Sequence, residues 1–211
     1  MAGTKTQTTA NKQLDHVLGG PDLVRPGNVF VELFDLAGAA LTAAGYARLS
    51  VVNNATNFPA ATGGTKSNGV DFLFPEATAD WGDIGEAGLY DGATGGWLIV
   101  RGFLGPASTA FTADPAASSN LLAPGHTLVA GDKVRLLAVG GFALPTPLAV
   151  NTTYFVRTVA GTLVELSTTV GGAGIVLTGA GVGRVGKFLP KNVATGDQFS
   201  IPAGQLTWLE T

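Results

Sequence analysis

The chain has no cysteine among its 211 residues, and that absence removes disulfides, thiolate metal sites and cysteine nucleophiles together. Charge is scarce too: 13% of residues are charged, about half the share usual in a soluble domain. The 12 Lys and Arg against 15 Asp and Glu leave a formal charge of −3, so no basic face exists to track phosphates and no nucleic acid partner is expected. No apolar run approaches the roughly 18 residues of a membrane span, and the opening stretch MAGTKTQTTANKQ lacks the apolar middle of a signal peptide. Neither a membrane partner nor secretory export is therefore expected. The only two histidines, His16 and His126, stand far apart in the chain and have no ligand spacing around them for zinc.

What the chain does have is glycine, 31 of it, spread without a G-X-Y period. Each interior glycine costs a helix about 1 kcal/mol relative to alanine, so long helices are disfavoured and turn-rich β structure is expected. The first ten residues, Thr, Lys and Gln without an apolar face, read as a loose arm. Leu14, Val17 and Leu18 then fall at the i, i+3, i+4 spacing of a short amphipathic helix over Asn11–Leu18, stopped by Gly19, Gly20 and Pro21. From Asn28 onward, short runs of Val, Phe, Leu and Tyr alternate with Gly, Asn, Asp and Pro clusters. Strands are expected near Val29–Leu36, Tyr46–Val52, Val70–Phe74, Ile84–Tyr90, Trp97–Leu104, Gln198–Ile201 and Gln205–Leu209. Val29–Leu36 is apolar on both faces except at Glu32, the pattern of a strand covered on both sides, and a two-layer sandwich explains it.

The segment from about Gly105 to Lys187 differs in texture. It opens on a low-complexity bridge, Pro106 to Ser119, and continues with compact strands expected at Thr127–Val129, Lys133–Ala138, Thr153–Val159, Leu163–Ser167 and Ile175–Leu177. Their connections carry Gly131, Gly140-Gly141, Gly161 and Gly171-Gly172, residues suited to tight turns. A small barrel or sandwich inserted into the larger domain fits this pattern. The expected fold is all-β: a jelly-roll-like β-sandwich over 21–104 plus 189–211, an inserted small β domain over 105–188, and an amino-terminal arm and helix over 1–20.

Gly45-Tyr46-Ala47-Arg48, the run Phe74-Pro75-Glu76-Ala77-Thr78-Ala79-Asp80-Trp81-Gly82, and Gly88-Leu89-Tyr90-Asp91-Gly92-Ala93-Thr94-Gly95-Gly96 together resemble a family of small tailed-bacteriophage virion proteins. The closing pattern Pro190-Lys191-Asn192-Val193, Gly196-Asp197-Gln198-Phe199 and Ile201-Pro202-Ala203-Gly204-Gln205-Leu206 is similar to the end of the same family. Its members are described as head-decoration-like or tail-fibre-like, and the resemblance implies a β-sandwich. The stretch from Pro124 through Lys133-Val134-Arg135 to Thr153-Tyr154-Phe155-Val156 also resembles a small β module found in phage tail and fibre proteins.

The residues with possible chemistry each have a plain structural alternative. Gly181-Val182-Gly183-Arg184-Val185-Gly186-Lys187-Phe188 satisfies both G-x-G-x-x-G and G-x-x-x-x-G-K, but Phe188 stands where a magnesium-holding hydroxyl belongs and Pro190 discourages the helix that must follow. A flexible return linker is the reading preferred. Asp80, Asp83 and Glu86 gather around Trp81, which fits a carboxylate pair, a calcium loop or a sugar-stacking platform. The same residues read as a turn entering a strand, with Trp81 anchoring the core. Trp97 and Trp208 fall in strand runs and are expected in the core. No enzymatic activity, cofactor or metal is expected.

The expected function is that of a capsid decoration protein, which cements the outer shell by binding the major capsid protein and copies of itself, with a trimer favoured by the habit of such families. Lys5 and Lys12 on the arm and Leu14, Val17 and Leu18 on the helix are the expected partner contacts. The alternative is a tail fibre or receptor-binding module among other tail proteins, with Asp80, Trp81 and Asp83 as a glycan or ion loop. Either places the protein at the virion surface after synthesis in the host cytoplasm.

Overall fold

The computed structural model describes residues 2–62, 65–106, 108–113, 120–139 and 142–209. Two compact units emerge, one from residues up to 104 with those from 190 onward, the other from residues 105–189. Both are built almost wholly of strands, and the fold is all-β with one short helix.

In the first unit the elements run β1 (Ala2–Lys5), α1 (Gln7–Val17), β2 (Asn28–Asp35), β3 (Leu49–Val52), β4 (Thr65–Ser67), β5 (Phe72–Glu76), β6 (Gly82–Tyr90) and β7 (Leu98–Phe103). After the second unit, β8 (Thr109–Ala113), β9 (Asn120–Leu122), β10 (Lys133–Leu137), β11 (Tyr154–Ala160), β12 (Leu163–Ser167) and β13 (Val182–Lys187), the chain returns as β14 (Lys191–Val193), β15 (Gln198–Ile201) and β16 (Thr207–Leu209).

The main sheet of the first unit has the order β3-β2-β6-β7-β1-β16-β4, with β14 paired to the part of β6 that β7 leaves free. The strands β5 and β15 form a separate pair. Alternation drives the layering: Phe72 and Phe74 on β5 are buried while Leu73 between them is exposed, and Phe199 and Ile201 alternate likewise on β15. These rings meet Val29, Val31 and Leu33 of β2 and Ile84 of β6 in one core. Phe74 and Phe199 pack edge to face, centroids 5.7 Å apart.

The amino terminus is not a loose arm. Ala2–Lys5 forms β1, antiparallel to β7 and parallel to β16, with Gly3 opposite Gly102 on one side and Trp208 on the other. A strand flanked on both sides is held by its backbone hydrogen bonds, which need no apolar side-chain pattern, and so composition gives no sign of it. The helix also begins earlier than the apolar spacing indicates, at Gln7 rather than Asn11.

The second unit is a closed barrel in the order β10-β11-β12-β9-β8-β13, with β13 closing on β10. Val134, Leu136, Val156, Val164, Leu166 and Val185 point inward as its core. Part of the segment expected as a low-complexity bridge is strand β8, and the stretch expected as a flexible return linker is strand β13. The rest of that bridge, 107 and 114–119, lies outside the described residues. Residues 127–129 are not a strand, because side chains take their amides: Leu128 N–H donates to His126 Nδ1 at 3.1 Å and Val129 N–H to Asp132 Oδ2 at 3.0 Å. Residues 175–177 are likewise a loop, touching β12 through the Ile175 N–H to Leu166 carbonyl bond while Leu177 is buried in the barrel core.

Candidate interaction face

Residues 6–18 carry the expected partner contacts, and their attachment to the sheet is polar. Thr6 caps α1: its Oγ1 accepts from Thr9 N–H at 3.3 Å and donates to the Leu98 carbonyl at 2.6 Å, while its own N–H donates to the Ile99 carbonyl at 3.1 Å. Thr9, one turn later and buried, donates from Oγ1 to the same Ile99 carbonyl at 2.9 Å. The helix is thus fastened to β7 by hydroxyl groups, with Lys12 Nζ placed 4.2 Å over the Trp97 ring.

The apolar residues Leu14 and Val17 of α1 and its C-cap Leu18 look the other way. Leu14 is 58% exposed, Val17 74% and Leu18 77%. A lone exposed leucine needs no explanation, but an amphipathic helix that buries its polar side and leaves its apolar side in solvent is the reverse of the usual arrangement. Beyond the helix, His16 Nδ1 accepts from Leu23 N–H at 3.3 Å and folds the following loop back. Loop and helix enclose a cleft of about 230 Å³ between Lys12, Val24, Arg25, Asn53 and Trp97. Lys5 belongs to β1 by its backbone, opposite Val100; its side chain lies outside the described residues, as does that of Trp208.

The second candidate group is spread out by the fold. Trp81 is buried in the core, its ring perpendicular to those of Tyr46 at 5.2 Å and Phe74 at 6.3 Å, and is not an open stacking platform. Asp80 Oδ1 accepts from Gly82 N–H at 2.8 Å in a turn whose glycine has φ +73°, and Asp83 Oδ1 accepts from Asn192 Nδ2 at 3.0 Å. Glu86 is buried on β6 against Arg101, at 2.5 Å. Each carboxylate has a structural partner of its own. Among the described residues no group of three or more His, Asp or Glu is arranged to hold a metal ion.

The phosphate-loop spacing likewise resolves into packing. A Cβ at Gly183 would stand 2.7 Å from Leu144 Cδ2, 2.8 Å from the Leu137 carbonyl oxygen and 2.9 Å from Phe111 Cζ, so glycine is required there for the barrel to close. Arg184 binds Ser108, and its burial lowers its pKa from the usual value. His126 Nε2 sits 3.1 Å from the Gly161 carbonyl and joins two loops.

Two ion pairs had no signal in the spacing of the sequence. Arg48 Nε meets the buried Glu32 carboxylate at 2.6 Å, its guanidinium lies 3.7 Å over the Tyr90 ring, and Nη1 donates to the Gly92 and Gly95 carbonyls at 2.8 Å each. Tyr46 donates to the other Glu32 oxygen at 2.8 Å and accepts from Leu33 N–H at 2.6 Å. Burial pushes its phenol far above the ordinary tyrosine range, with the Glu32 charge adding to the effect. Arg101, on Glu86, lies 3.8 Å over Phe34 and donates to the Gly38 carbonyl at 2.6 Å. One arginine thus holds the glycine-rich 91–96 loop, and the other holds the turn after β2.

A family model described as Podophage GP4 fiber I protein gp80 matches residues 4–121, more than half of the chain, from β1 into β9. No curated protein matches the chain.

Proposed function

The chain belongs to the podophage GP4 fiber I protein gp80 family and is a bacteriophage virion structural protein, and from that premise we propose that it serves as a fibre subunit. The family match carries this reading, because it covers the first unit from β1 through β7 and the face formed by α1. The protein acts by adhesion. It buries apolar and polar surface against copies of itself and against other virion proteins, at roughly 25 cal/mol for each Å² of apolar area covered. Its low charge suits a surface that is largely covered in the particle. No helix among the described residues is long and apolar enough to cross a membrane.

The capsid-cement reading rests on the same adhesive physics and differs only in where the protein sits. The family description names a fibre, and this favours the fibre. Electron microscopy of whole particles, with antibody raised against the barrel unit, separates the two. Label on fibres is the expected result; label spread over the head surface would replace the fibre reading with the cement reading.

A further inference from the structure

The cleft of about 230 Å³ beside α1 gathers two cations that no carboxylate among the described residues holds. Lys12 lies over the Trp97 ring, and Arg25 comes from the loop that follows the helix. The other arginines are engaged: Arg48, Arg101 and Arg157 on carboxylates, Arg184 on Ser108, and Arg135 over Phe188. Arg25 is the exception, and it is exposed. No Asp or Glu lines the cleft, and Asp22, the acidic residue nearest to Arg25 in the chain, lies 3.4 Å from His16 Nδ1. Two cations without a counter-charge at one cleft make a local site for an anion on a chain whose net charge is −3.

The walls of the cleft are fastened in advance. Trp97 N–H donates to Asp91 Oδ1 at 2.7 Å, at the start of the loop that Arg48 holds. Asn53 fixes the 23–26 loop, its N–H donating to the Gly27 carbonyl at 2.8 Å and its Nδ2 to the Pro26 carbonyl at 3.0 Å, which leaves its Oδ1 unused. Thr6 and Thr9 hold the helix that carries Lys12. A ligand entering such a cleft has little of the protein to order. The indole N–H of Trp97 is buried and meets no acceptor among the described residues, and a donor in that state gains most from an acceptor brought from outside.

Size and lining name the ligand class. The volume lies below the roughly 300–1,000 Å³ of clefts that take drug-sized molecules, and it suits a single ring. A bare anion such as phosphate would leave Trp97, Val24 and Pro26 without contact, while a purely apolar acid would leave Asn53 Oδ1 and the Trp97 N–H without partners. We propose that this cleft binds one carboxylated sugar ring of hexuronate size. Its C–H surface covers the apolar walls, its hydroxyl groups serve Asn53 and Trp97, and its carboxylate is held by Lys12 and Arg25. The site stands apart from the fibre reading, because binding to the isolated chain is the same whether that chain belongs to a fibre or to the shell.

Nuclear magnetic resonance of the full chain at low salt, titrated with methyl glucuronide, is the test, with methyl glucoside, cyclohexanecarboxylate and inorganic phosphate as comparisons. Methyl glucuronide is expected to shift the Trp97 indole N–H resonance, identified by its loss in Trp97→Phe, with a Kd of about 1 mM. Methyl glucoside lacks the carboxylate and should bind at least about tenfold more weakly. Arg25→Gln, on an exposed loop, should weaken glucuronide binding by about the same factor and leave the rest of the spectrum in place. Lys133→Gln removes an exposed charge from the barrel unit and should change nothing. No shift at Trp97 up to about 50 mM glucuronide, or binding by Arg25→Gln equal to that of the wild type, would overturn the proposal. Equal or tighter binding of the glucoside, the cyclohexane acid or phosphate would show that the cleft is not an acidic-sugar site.

Discussion

Leu104 and Lys191 lie side by side along one edge of β6, although 86 residues separate them in the chain. The Leu104 N–H donates to the Gly85 carbonyl at 2.8 Å, and Lys191 pairs with Ile84, the next residue along the strand. The chain therefore leaves the first unit and returns to it at adjacent rungs of the same ladder.

Replacing residues 105–189 by a short Gly-Ser linker is expected to leave the first unit folded, because β7 and β14 keep their places on β6 and only a short gap has to be closed. Cooperative thermal unfolding of a soluble product checks this. Aggregation, or loss of the cooperative transition, would show that the first unit depends on the barrel.

The Glu32–Arg48 pair is the most exacting electrostatic arrangement in the first unit, since Glu32 is buried and Arg48 Nε and the Tyr46 hydroxyl converge on its two oxygens. Arg48→Ala strands that carboxylate and releases the 91–96 loop, and a loss of about 3 kcal/mol is expected, the lower end of the range for breaking a buried pair because Tyr46 still donates. Arg48→Lys should recover only part of it, lacking the planar fork that reaches Glu32 and two carbonyls at once. Urea unfolding midpoints measure both.

Gly183 and Gly179 offer a paired comparison in the barrel unit. Gly183→Ala drives a methyl group into Leu144, Phe111 and the Leu137 carbonyl, and is expected to cost about 1–3 kcal/mol. Gly179→Ala meets nothing within 4 Å and should be neutral. Equal effects in thermal melts would show that β13 does not pack as described.

Tyr46 sets an expectation at alkaline pH. Its folded pKa lies above the unfolded value of about 10, so the folded state keeps the proton that the unfolded state loses. The stability from this group is fully present below about pH 10 and falls as pH rises beyond it. Chemical unfolding at pH 8 and at pH 10.5 should show the decline in the wild type and a smaller one in Tyr46→Phe, which has no proton to lose; an equal decline in both would place the cause elsewhere.

The expected strands Leu163–Ser167 and Gln198–Ile201 coincide with β12 and β15, and those near Val29, Ile84 and Trp97 differ from β2, β6 and β7 by two residues at most. In these segments side-chain alternation and flanking turn residues report the local conformation directly. The strands β1 and β13 gave no such signal: one is held by backbone ladders on both sides, and in the other Gly183 stands where a larger residue would collide with neighbours distant in the chain. The apolar residues of α1 were legible as a stripe, and the stripe alone was silent on which way it faces. Thr6 and Thr9 decide that, because the Leu98 and Ile99 carbonyls they bind come from a strand some 90 positions away.

The all-β character, the turn positions and the lack of basic or thiolate chemistry were thus determined by the sequence alone, since each depends on residue types and their immediate neighbours. Which strands meet, which face of α1 is left to the solvent, and that Trp81 and its carboxylates serve the core and its turns were decided only in the tertiary structure. Those outcomes depend on contacts between residues far apart in the chain, and local spacing does not encode them.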